Sequence, residues 1–174
     1  MNDLAAGQPA IDLDNPDFYV NRELSLLQFN LRVLEQAMDE RHPLMERLNF
    51  LLIFSSNMDE FFEIRVAGMR QQLKYGREQI HADGLQPEQL LAEISRVAHE
   101  YIDEQYDILN NVLIPELEKQ NIHFVRRHEW TPAQAQWVRT YFDEEILPVV
   151  SPIGLDPSHP FPRLVNKSLN FIVE

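Results

Sequence analysis

Ser55, Ser56, Asn57, Asp59 and Glu60 break into a strongly apolar stretch, with LNFLLIF before them and Phe61-Phe62 after. Serine and asparagine are mediocre helix formers whose side chains compete for backbone groups, so another demand must favour them here. The Asn57 carboxamide carries both donors and acceptors and could read a purine edge or meet a ribose or phosphate oxygen. The structural alternative is a buried polar knot, in which these side chains bond across to neighbouring helices. Asp59, Glu60 and Glu63 follow at helical spacing; clustered carboxylates of this kind could hold magnesium or act as acid and base. With Arg65 and Arg70 close by, a salt-bridged helix surface is the preferred reading.

Other constellations are weaker. His99 and Asp103, four apart, could ligate zinc, but no third ligand stands at helical distance. Asp156 and His159 could form a catalytic pair, yet no Ser or Cys nucleophile occupies a recognisable elbow, and the surrounding prolines suggest a rigid shaping loop. His42, His81, His123 and His128 read as surface or boundary residues. The five glycines form no phosphate loop, which excludes P-loop chemistry from this segment. No cysteine is present, so neither disulfides nor thiolate metal sites arise. The expectation is therefore no catalytic residue and no metal site in these 174 residues.

The elements that must position these groups are mainly helical. Residues 1–20, with their acids, prolines and glycine, read as a flexible arm. Asn21 can cap a first helix in which Leu24, Leu27, Leu31, Leu34 and Met38 make one apolar face. Leu26, Phe29, Val33 and Ala37 make an adjacent one, so this helix needs neighbours on two sides. A long second helix is expected from Pro43 to about residue 75, stopped by Gly76. A third opens at Pro87 and carries Leu91, Ile94, Val97 or Ala98, Tyr101, Ile108 and Val112, with Pro115 kinking or shortening it. An antiparallel helical bundle over residues 21–121 is the expected fold, preferred over an open coiled coil because the apolar faces are too broad for a two-stranded seam.

From residue 122 the texture changes. IHFVRR and the terminal LNFIVE read as strands, and Thr131-Pro132-Ala133-Gln134 starts a helix expected to end before Pro148. Residues 122–174 are thus expected to form the beginning of a second, α+β domain, cut short.

A formal charge of -13, from 15 Lys and Arg against 28 Asp and Glu, disfavours nucleic acid as a partner. No signal-peptide pattern and no stretch of about 18 uncharged apolar residues occurs, which makes a cytoplasmic protein the expectation, with peripheral membrane association left open.

Two blocks carry a family resemblance. NRELSLLQFNLRVLEQAMDERHPLMERLNFLLIFSSNMDEFFEIRVAGMR, residues 21–70, resembles the opening of the bacterial polyphosphate kinases. SPIGLDPSHPFPRLVNKSLN, residues 151–170, resembles the proline-rich signature where that family's second, or head, domain begins. The resemblance implies reversible transfer of the terminal phosphate of ATP to inorganic polyphosphate through a phosphohistidine, with magnesium. It places a nucleotide contact on Asn57 and the phosphate-accepting histidine, metal ligands and basic phosphate tunnel beyond the present segment. Leu26 stands where many relatives carry Trp. The resemblance further implies a helical domain that helps cover the nucleotide site, dimer contacts in the second domain, and no kinase activity for this segment alone. The rival expectation is a stand-alone acidic helical module that binds a protein partner. A proline-rich block followed by an unpaired strand argues against that alternative.

Overall fold

The computed structural model describes residues 12–76, 82–165 and 168–173. It separates into two compact units, the first ending at His123 and the second beginning at Phe124. The part of the expected arm before residue 12, and His81, lie outside the described residues. Residues 12–20 are not featureless: Asn15 caps a 3-10 turn over Pro16–Phe18. Pro16 packs against Gly84, whose φ of 75° suits glycine and whose bare Cα lies where a Cβ would come within 3.4 Å of the proline ring.

In the first unit, helix α1 spans Arg22–Glu35, with the Asn21 side chain accepting from the backbone N–H groups of Glu23 and Leu24. Helix α2, Leu44–Glu60, continues through a π-helical turn, Phe61–Val66, into α3, Ala67–Lys74. The whole run is on the order of 45 Å at 1.5 Å per residue. Gly76, at φ 60°, follows its last turn. Helix α4, Pro87–Ile108, likewise passes through a π turn, Leu109–Leu113, into α5, Ile114–Lys119.

Pro115 neither ends nor shortens this third rod. A proline lacks the N–H that would bond to the carbonyl of Asn111 and its ring crowds that carbonyl, and the wider π turn falls on the stretch that contains Asn111. The π turn in the second rod has an apolar signature instead. Leu51, Phe54, Met58 and Phe61 are buried at ordinary 3-4-3 spacing, but the next buried residue is Val66, five further on. Only an i to i+5 turn brings both ends of that step to one face.

Side-chain bonds fix the directions. Arg47 near the start of α2 reaches the carbonyl of Ala37, just past α1, while Asn57 near the end of α2 reaches Asn30 in the middle of α1. These two helices therefore run antiparallel. Arg47 also pairs with Glu116 in α5, which sets the third rod antiparallel to α2 as well. Leu27 and Leu34 from α1, Leu51 and Phe54 from α2, and Leu90 and Ile94 from α4 are among the residues that close the core. The expected antiparallel helical packing corresponds to this arrangement.

In the second unit, Thr131 caps α6, Pro132–Tyr141, in a reciprocal box with Gln134. The helical path continues through Phe142–Ile146 in π form and Leu147–Val149 in 3-10 form, so it incorporates Pro148 at its end rather than stopping before it.

The expected strands do not form. Among the described residues there is no strand: Ile122 to Arg126 carry no ladder, Arg127–Glu129 is a 3-10 turn, and residues 169–173 are unpaired. The truncated α+β segment is thereby corrected to helix and irregular chain. Part of the reason lies at residue 122. The Ile122 N–H bonds to Leu117 O at 3.0 Å and the Asn121 N–H to Glu118 O at 3.0 Å, with Asn121 at φ 62°. That Schellman stop consumes the first donor of the expected strand. The terminal run, without it, has no ladder partner among the described residues, and an unladdered segment gains nothing from alternation.

Among the described residues no helix is long and apolar enough to cross a membrane.

Candidate functional site

Within the polar interruption in α2, Asn57 reaches across to α1. Asn57 is half-buried and its Nδ2 donates to Asn30 Oδ1 at 2.9 Å, linking the two helices through their side chains. Asn30 was not singled out by sequence reasoning. It is only 2% exposed, the one fully polar member among the most deeply buried described side chains. Its signal was available, since Asn30 lies within an otherwise leucine-rich face, three residues after Leu27 and four before Leu34.

Beside this bond lies an open groove of about 340 Å³. Leu26 and Phe29 from α1, with Phe61 and Ile64 from the π turn, supply carbon walls, and Glu60 and Arg65 add one carboxylate and one guanidinium. Asn30 and Asn57 complete the lining. Both readings of Asn57 thus meet in one place: the carboxamide ties two helices together and still borders a groove. The π turn matters for this geometry, because it leaves Ile64 59% exposed and Arg65 half-buried at the groove while keeping Phe61 and Val66 in the core.

Asp59, Glu60 and Glu63 are exposed, and no group of three or more His, Cys, Asp or Glu among the described residues comes together to hold an ion. His99 turns its Nδ1 to the carbonyl of Ser95 at 2.6 Å, so the His99 and Asp103 pair is not drawn together by that contact. In the second unit Asp156 organises a surface turn. Its carboxylate accepts from the Ser158 N–H at 2.9 Å and lies 3.2 Å from His159 Nδ1. The bond from Ser158, chiefly, holds the Asp156 carboxyl below the usual carboxylate range. Ser158 and His159 are exposed.

A second buried polar group was also missed. Arg47, 4% exposed, donates Nε to Ala37 O at 2.7 Å and NH1 to Glu116 Oε2 at 2.6 Å. One guanidinium so satisfies the end of α1 and a carboxylate of α5 at once, which suits its planar fork. An arginine four residues before the buried Leu51 looks like a surface residue in sequence, because helical period places it near the core edge without saying that partners wait there.

Comparison with known proteins bears on both units. Residues 19–125 match the model of the polyphosphate kinase N-terminal domain, and residues 133–174 match that of the polyphosphate kinase middle domain. The polyphosphate kinase of Pseudomonas syringae pv. tomato is 64% identical over 165 residues, 95% of this chain and 22% of that protein. The Pseudomonas putida polyphosphate kinase is 65% identical over 162 residues, 93% of this chain and 22% of that protein. That of Neisseria meningitidis serogroup A is 55% identical over 153 residues, 88% of this chain and 22% of the relative. The chain therefore spans about a fifth of the length of these curated relatives. No solved structure matches it.

Proposed function

The chain belongs to the polyphosphate kinase family, and from that premise we propose that its first unit forms part of the nucleotide site of an enzyme that reversibly moves the terminal phosphate of ATP onto inorganic polyphosphate. The observation that carries this reading is the groove between α1 and the π turn, with the Asn57 carboxamide at its edge.

The lining says which part of a nucleotide suits it. A triphosphate carries several negative charges and calls for clustered cations, whereas this groove offers a single arginine opposed by Glu60. Phe29, Phe61, Leu26 and Ile64 instead favour a flat, weakly charged body such as a base, whose edge a carboxamide can meet. Phosphate binding, the phosphohistidine and magnesium are assigned by this proposal to parts of the enzyme other than this groove. That assignment agrees with the formal charge of -13. By itself the chain is expected to bind nucleotide weakly and to transfer no phosphate; oligomer contacts of the whole enzyme belong to the same proposal.

Titration of ATP against the chain, followed by amide and side-chain resonances, tests it. Shifts centred on residues 55–65 and lost in Asn57→Ala are expected. An unchanged spectrum up to millimolar ATP would remove the groove from the nucleotide site, and labelled phosphate appearing on any histidine of the chain would contradict the division of labour.

A further inference from the structure

Asn30 sits in mid-helix at 2% exposure, where a carboxamide is costly unless bonded. It accepts from Asn57 Nδ2 at 2.9 Å and so engages one end of the Asn57 amide. The two ends of an asparagine amide have almost the same shape but opposite hydrogen-bonding character. Whatever holds one end toward α1 decides which chemistry the other end shows to the groove. Here the amino group is held toward α1, leaving the Asn57 carbonyl oxygen on the opposite side of the amide.

We propose that Asn30 is a positioning residue that fixes Asn57 with its carbonyl outward, so that the groove selects a purine bearing an amine at position 6 over one bearing a carbonyl there. This rests on the nucleotide reading above and deepens it from a nucleotide contact to a choice of base. An amine at that position donates to the Asn57 Oδ1 acceptor, while a carbonyl would set two acceptors against each other. Without Asn30 the amide can turn, present either end, and lose its preference. A purely structural Asn30 would behave differently: its removal would weaken all nucleotides alike and leave their ratio untouched.

The test compares the unmodified chain with Asn30→Ala and Asn30→Asp. In the ligand-free chain the Asn57 side-chain amide protons are expected to exchange slowly with solvent, and quickly in Asn30→Ala. ATP is expected to bind about fivefold more tightly than ITP, the worth of one hydrogen bond. That ratio should fall to about one in Asn30→Ala and persist in Asn30→Asp, whose carboxylate still accepts from Nδ2. Should Asn30→Ala fail to fold by circular dichroism, Asn30→Ser, too short to reach Asn57, takes its place. Equal amide exchange with and without Asn30 overturns the proposal, as does a selectivity ratio that survives Asn30→Ala. The latter result, with ATP still bound and still sensitive to Asn57→Ala, leaves the nucleotide reading standing. If neither ATP nor ITP perturbs Asn57 in the unmodified chain, the nucleotide reading fails and the positioning role falls with it.

Discussion

The first unit places Leu27, Leu34, Phe54, Leu90 and Ile94 at 1% exposure or less, while in the second no described residue is buried at all. The second is not short of apolar side chains, for Trp137, Phe142, Leu147, Ile153 and Phe161 all belong to it and are all exposed. Nor does it lack local order: Thr131 and Gln134 cap each other, and Trp137 stacks on Tyr141 with ring centroids 5.4 Å apart and planes 12° from parallel. What separates the two is opposition. Each rod of the first unit meets another antiparallel to it, so an apolar stripe on one finds an apolar stripe on the next. Among its described residues the second unit has one long helical run, and caps and i,i+4 stacking stabilise a helix without removing its apolar face from water. The groove sits in the unit whose packing can hold a carboxamide in place.

The largest expected break in this comparison is Phe54→Ala. Loss of a fully buried ring should cost the first unit about 4 kcal/mol, read as a drop in its denaturant midpoint. The matched change Phe142→Ala, at a ring 44% exposed, should move the same midpoint by less than about 0.5 kcal/mol. Comparable losses from the two would show that the second unit shares a core with something as well ordered as the first.

Next in size is Arg47→Ala, which leaves the Glu116 carboxylate and the Ala37 carbonyl without their donor. A destabilisation of about 3 kcal/mol is expected, and Glu116→Gln should cost less, because the Arg47 bond to Ala37 remains and the Gln carboxamide oxygen can still accept from the guanidinium. If the two variants proved equal, the Ala37 bond would contribute nothing beyond the ion pair.

The caps sharpen the contrast at smaller scale. Asn21→Ala should lower the stability of the first unit by about 1 kcal/mol, because the cap is buried and belongs to a cooperative bundle. Thr131→Ala should reduce helicity over residues 132–141 without shifting that transition. Site-resolved amide exchange distinguishes them: protection lost throughout α1 and α4 in the first case, and confined to α6 in the second.

The smallest effect concerns acid. Asp39, bonded through its side chain to Arg41 with Nε at 2.9 Å from Oδ1, has a carboxyl held well below its ordinary value. A depressed folded-state value means that the contribution is present above the unfolded value, about 4, and is lost as pH falls from there through the folded value. The original chain should therefore lose slightly more stability below about pH 4 than Asp39→Asn does. Equal slopes in an acid titration of the unfolding midpoint would show the pair to be inconsequential, as exposed pairs often are.

Much of the scaffold was legible because it is periodic. The 3-4 spacing of Leu27, Leu31 and Leu34, the cap at Asn21, the stop at Gly76 and the opening at Pro87 are local instructions, each readable within one or two turns of chain. Asn57 stood out for the same reason, as a polar residue in an apolar helix, and a resemblance over residues 21–70 pointed to the family later matched over residues 19–125. The π turns were harder. The step from Phe61 to Val66 is visible in sequence only to a reader who already knows which residues are buried.

Helical period and turn chemistry are set by neighbours in sequence, and to that extent the chain by itself determined its helices, their caps and its acidity. The alternating pattern of IHFVRR suggested strand by the same local logic, and it failed because a strand is completed by a partner that local sequence does not contain. Tertiary structure decided the rest: that Asn30 would meet Asn57, that Arg47 would join Ala37 to Glu116, and that a groove would open beside the π turn. These meetings join residues 10, 27 and 69 positions apart. Their geometry follows from how the rods pack, and no pattern confined to one helix can state it.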